Sequence, residues 1–112
     1  MAEFDPETFE EEKYREHFTQ LQRAYKNAFN AMTDEYDSDL IHALDQQVLN
    51  ESEPYFEAGA FHIDLPENPA ERVTGVLASE EKISATLSAY TDQIATELHQ
   101  LFGVERPDEI EE

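Results

Sequence analysis

Apolar side chains recur at Tyr14, Phe18, Leu21, Tyr25, Phe29 and Met32, the alternating three-and-four spacing of an amphipathic helix. Phe4-Asp5-Pro6-Glu7 provides its start, with Asp5 as cap, Pro6 at the first helical position and Phe4 in place to staple onto Phe9. His17, Ala24, Ala28 and Ala31 widen the stripe on one side, and small residues there let another helix approach closely. Thr33 to Asp39 is polar and rich in capping residues, which predicts a break. Tyr36 keeps the apolar spacing alive, so the helices on either side are read as separate or as one. The second carries Leu40, Ile41, Leu44 and Val48 inward and ends near Asn50, before Glu53-Pro54.

The period then changes. Phe61-His62-Ile63-Asp64-Leu65 alternates apolar and polar, which predicts a strand with Phe61, Ile63 and Leu65 on one face. Tyr55-Phe56 precedes it across Glu57-Ala58-Gly59-Ala60, and Gly59 suits a turn, so the two segments form a hairpin. A two-stranded hairpin is marginal by itself and must rest on the helical layer. Asn68 as cap and Pro69 at the first position predict a helical turn or two ending at Gly75. Ser79 caps a last helix, with Glu80 and Glu81 at its positive end. Ile83, Leu87, Tyr90, Ile94, Leu98, Leu101 and Phe102 keep helical spacing up to Gly103. The fold class is therefore α+β and mainly helical, one domain over residues 1–104 followed by an acidic tail, 105–112.

Composition adds the setting. The 112 residues hold 27 acidic and 7 basic side chains, a net charge of −20. The acids recur from Glu3 to Glu112 rather than collecting in a tail. Such an excess destabilises a compact state by self-repulsion, and at molar salt the Debye length of about 3 Å removes most of it. A salt-filled cytoplasm accounts for this balance, and folding is expected to need molar salt. The rival reading is a nucleic-acid mimic that regulates a basic protein, but a mimic concentrates its charge on one face. Direct nucleic-acid binding lacks its basic footprint. No apolar run is long enough for a membrane span, and the N-terminus lacks the basic and apolar regions of a signal peptide. The chain is read as cytoplasmic.

Candidate chemistry is thin. There is no cysteine, so neither a disulfide nor a thiolate site is available. His17, His42, His62 and His99 fall in no metal-ligand spacing, and with acids this abundant Asp39-x-x-His42 is a coincidence to be expected. The three glycines form no phosphate cradle, and no serine sits in a nucleophile elbow. Neither a catalytic residue nor a cofactor or metal site is read; a small metal-dependent enzyme using carboxylates is the third choice.

The informative feature is an absence. His17 to Thr33 is a run of 17 residues without an acid, where the chain average would place about four. Burial explains only half of it. Arg15, Thr19, Gln22, Arg23, Lys26, Asn30 and Thr33 share a face turned away from the main apolar stripe, and three of the seven basic residues lie there. One reading is a docking surface for a protein partner or for a second copy, because charge is depleted at interface centres. The other is that the hairpin or the acidic tail covers this face. Leu40 to Asn50, broken only by Asp45, is a second acid-poor stretch whose Gln46, Gln47 and Asn50 could extend the same patch.

Three strings carry a resemblance: Ala24-Tyr25-Lys26-Asn27-Ala28-Phe29-Asn30-Ala31-Met32, Leu44-Asp45-Gln46-Gln47-Val48-Leu49-Asn50-Glu51-Ser52-Glu53-Pro54 and Leu65-Pro66-Glu67-Asn68-Pro69. In these, and in length, acidity and motif order over residues 4–103, the chain resembles a family of small, acidic, uncharacterised haloarchaeal proteins. The resemblance implies a salt-rich archaeal cytoplasm and brings no catalytic residue. The leading expectation is a non-catalytic interaction module that docks through the acid-poor face of the first helix.

Overall fold

The computed structural model describes residues 6–12, 15, 17–57 and 60–104. The helices are α1 (Pro6–Glu12), α2 (Phe18–Glu35), α3 (Ser38–Gln47) and α4 (Glu80–Phe102), and a hairpin of β1 (Glu53–Glu57) and β2 (Ala60–Asp64) lies between α3 and α4. The fold is α+β and mainly helical, as the periodicities predict. One difference lies near the N-terminus, where the expected long helix is two, α1 and α2. Nothing in the sequence between them is a strong breaker. His17, just before α2, has a non-helical φ of −104°, and its N–H still donates to Glu12 O at 3.1 Å. Phe4, Asp5, Tyr14, Gly59 and the tail lie outside the described residues.

α2 and α4 make the main helical contact. Ala24 and Ala28 present no bulk and are fully buried, and Leu21 and Met32 complete that face of α2. α4 answers with Ile83, Leu87, Tyr90, Ile94 and Leu98. The break before α3 falls at Tyr36 and Asp37, both in extended conformation, and α3 buries Leu40, Ile41 and Leu44. Val48 and Leu49 continue the core through a 3₁₀ turn, Leu49–Glu51. At the other end of the hairpin, Pro69–Arg72 is also 3₁₀, and Asn68 before it is left-handed (φ 48°) without a side-chain cap. The long connection is held to α3 by Gln47. Its Nε2 donates to Thr74 O (3.0 Å), and its Oε1 accepts from Thr74 N–H (2.9 Å).

The strands are antiparallel, with Tyr55 opposite His62 and Phe56 opposite Phe61. Phe56 and Phe61 are buried, and Ile63 and Leu65 pack against the same core. The outward side carries Glu53 directly opposite Asp64 and a stacked Tyr55–His62 pair, centroids 5.1 Å apart.

The hairpin is clipped to the helices by one side chain. Ser79 caps the start of α4, accepting from Lys82 N–H at 3.1 Å, and Gly103 ends it in the left-handed region (φ 69°). The chain reverses there, so Val104 N–H reaches His99 O at 2.9 Å, and Val104 O accepts from His99 Nδ1–H at 2.9 Å. That bond leaves Nε2 as an acceptor, and it takes the Phe61 N–H at 3.1 Å. The Phe61 ring meets Phe9, Phe56, His99 and Phe102 at centroid distances of 4.9 to 5.5 Å. Phe9 of α1, fully buried, also stands edge-on to Phe102.

One core group is not satisfied. Tyr90 is fully buried, and among the described residues its hydroxyl has no hydrogen-bond partner. Two substitutions should therefore behave oppositely in denaturant titrations. His99→Leu strands the buried Phe61 N–H and is expected to cost about 1–3 kcal/mol, whereas Tyr90→Phe discards an unpaired hydroxyl and is expected to be neutral or stabilising.

Candidate interaction surface

The structure exposes the acid-poor face. Arg15 sits in the turn before α2, its N–H donating to Glu12 O at 3.0 Å, and its side chain is exposed. Thr19, Gln22, Arg23, Lys26 and Asn30 are exposed along α2. Thr33 is half-buried, and its hydroxyl donates back to Asn30 O at 3.0 Å. The hairpin does not lie over this face; of the two covers considered, the tail lies outside the described residues. Among the described residues, Arg15, Arg23 and Lys26 make no ion pair, and the Arg or Lys that does is Arg72, 2.6 Å from Glu51. Three cations thus stand unneutralised on a chain with 27 carboxylates.

A groove runs along the edge of this face. Phe18, Leu21, Gln22 and Tyr25 of α2 form one wall, and Ser52 and Pro54 form the other, around about 190 Å³. Phe18 is 44 % exposed. Tyr25 is half-buried, with its hydroxyl 2.9 Å from Ser52 Oγ, and Ser52 Oγ donates to Leu49 O at 2.6 Å. The space is below the roughly 300 Å³ at which small-molecule pockets begin, which suits one apolar side chain better than a cofactor. Gln22 belongs both to the groove and to the cationic face. Sequence reasoning placed Phe18 and Tyr25 in the core stripe and so missed the groove. The stripe is wider than the core it meets, and Phe18 and Tyr25 stand at its edge. The second acid-poor stretch does not extend the patch as a whole, because Gln47 is spent on Thr74.

Other clusters offer less. A recess of about 320 Å³ between β2 and α4 is lined by Tyr55, His62, Ser88, Thr91 and Asp92, but His62, Ser88 and Asp92 are all exposed. Glu10, Glu53 and Asp64 meet with Tyr55 around a third, acidic hollow. Among the described residues no group of three or more His, Asp or Glu is placed to hold a metal ion, and no helix is long and apolar enough to cross a membrane. The four histidines each pair with an aromatic ring: His17 with Phe9 and Phe102, His42 with Phe29, His62 with Tyr55 and His99 with Phe61.

Two ionisable groups with displaced affinity are Asp45 and Tyr90. Burial pushes the Asp45 carboxyl above its ordinary value of 3.8, with nearby His42 opposing. Burial, and then Asp45 and Tyr25, push the Tyr90 phenol up. Shifted pairs of this kind mark active sites when a cleft opens on them, yet Asp45 and Tyr90 line none of the three recesses. Their consequence is for stability. An aspartate that the fold prefers protonated contributes most below pH 3.8 and loses that contribution as pH rises through its folded value. Asp45→Asn is expected to raise the neutral-pH melting temperature and to flatten the pH profile above about pH 4, in thermal scans read by circular dichroism.

Residues 1–105 match the sequence pattern of a family of unknown function, DUF5783. No curated protein and no solved structure matches the chain. The chain belongs to that family.

Proposed function

We propose that this member of a family without an assigned activity is a non-catalytic interaction module, built on residues 1–104, that docks a protein partner or a second copy through the exposed face of α2. The observation that carries the reading is the coincidence, along α2 and the turn before it, of the unpaired Arg15, Arg23 and Lys26, a run without an acid from His17 to Thr33, and a side-chain-sized apolar groove. Charge depletion and an aromatic anchor are what interface centres require. The face also costs the protein nothing internally, because Arg23 and Lys26 hold no described neighbour in place. Arg23→Glu with Lys26→Glu is therefore expected to abolish the complex while leaving the circular dichroism spectrum and melting temperature unchanged. Loss of folding in that variant would make the face structural and end the reading.

The setting proposed for the module is a cytoplasm rich in salt. The net charge of −20 opposes folding in dilute buffer, and facing carboxylates such as Glu53 and Asp64 add local repulsion. Helicity at 222 nm should rise cooperatively as potassium chloride is raised from about 50 mM towards molar concentration, where the Debye length falls to about 3 Å. A cooperative, fully helical state already present at the low end would remove the salt-adapted reading.

A further inference from the structure

We infer that the occupant of the α2 face is an acidic protein segment carrying one large apolar side chain, a proposal that rests on the docking reading above. The apolar groove of Phe18, Leu21, Gln22, Tyr25, Ser52 and Pro54 receives the apolar side chain, and Arg23 and Lys26, one and four residues beyond Gln22, meet the flanking carboxylates. Arg15 adds a third cation before the first turn of α2.

Three physical arguments select this partner. Charge complementarity comes first: no described carboxylate satisfies these cations, although carboxylates outnumber basic residues almost four to one along the chain. Symmetry then disfavours a second copy. A two-fold contact apposes a patch to itself, which would bring Arg23 and Lys26 of each copy against the same cations with no acid between His17 and Thr33 to relieve them. A head-to-tail contact with an acidic surface elsewhere on the copy would have to close into a ring or else run on into filaments. Finally, a polyanion such as nucleic acid has phosphates for the cations but no side chain for the groove, and three cations are a small footprint against the whole-chain repulsion. Salt decides that an acidic partner is tolerated at all. At about 1 M the long-range repulsion between two acidic proteins is screened beyond roughly 3 Å, while burial of an apolar side chain does not depend on that field.

The test uses two synthetic helical peptides with identical leucine positions, one with glutamate and one with lysine at every flanking site, and a single-stranded oligonucleotide. Each is titrated into ¹⁵N-labelled protein in about 1 M potassium chloride, where close charge pairs survive screening, and sedimentation equilibrium reports self-association. The expected result is that the glutamate peptide shifts the amides of Phe18, Gln22, Arg23, Tyr25 and Lys26. R23E/K26E should weaken it by roughly tenfold or more and reverse the preference in favour of the lysine peptide. A glutamate peptide in which the leucines are replaced by serine should lose the shifts at Phe18 and Tyr25. Equal or stronger binding of the lysine peptide to the wild type, or no response of this face to either peptide, overturns the inference. Saturable oligonucleotide binding here would replace the protein segment with nucleic acid. A dimer lost in R23E/K26E would overturn the acidic partner while leaving the docking reading intact, whereas a complex from cells that R23E/K26E does not disturb would remove the docking reading itself.

Discussion

The fold depends on the seating of Phe61. A two-stranded hairpin has too little buried surface to stand alone, and here Phe61, next to its closing pair, is held twice. The backbone N–H is bound by His99 Nε2, and the ring closes an aromatic cluster with Phe9, Phe56 and Phe102. That cluster draws on α1, both strands and the end of α4, so the parts of the chain farthest apart in sequence meet at one side chain. The imidazole can serve only in its neutral form, because Nδ1 gives its proton to Val104 O while Nε2 must accept. The tautomer is set in turn by Gly103, whose left-handed turn brings Val104 back to His99. A cap residue thus orients a ring that holds a strand.

α2 has two unlike sides. Its inner side is alanine-rich where α4 approaches, and its outer side has no acid before Asp34 and no described ion pair. Between the two lies the aromatic edge of Phe18 and Tyr25, tied to the start of the hairpin through Ser52. The groove exists because Ser52 and Pro54, where β1 begins, lie beside the helix. The buried Tyr90 hydroxyl and the half-buried Asp45 carboxyl line none of the three recesses described, and each is an internal cost of the fold.

What could be read from the sequence was local. The Ser79 cap, the Gly103 stop, the inward set Leu40, Ile41 and Leu44, and the alternation through Phe61 and Ile63 each depend on neighbours a few residues away, and each is present. The separation of α1 from α2 was not legible, because the apolar spacing runs through it without a glycine or proline. Asn68 has the chemistry of a cap but adopts a left-handed turn before a 3₁₀ segment, a choice that Asn permits and its sequence neighbours do not reveal. The exposed face of α2 was visible as a gap in the acids. Its groove was not, since Ser52 and Pro54 come from some thirty residues away. His99 was one of four histidines without a motif, and its purpose is defined by a partner 38 residues earlier.

A sheet of only two strands has no interior strand, so each strand is an edge, and on β2 the Phe61 N–H is already taken by His99 Nε2. Natural proteins guard such edges with charge, and here three of the exposed strand positions are Glu53, Glu57 and Asp64. The facing carboxylates of Glu53 and Asp64 therefore have a second effect. They set like charges at the ends of the strands, which opposes edge-to-edge pairing with a second copy while the aromatic residues Phe56 and Phe61 stay turned into the core.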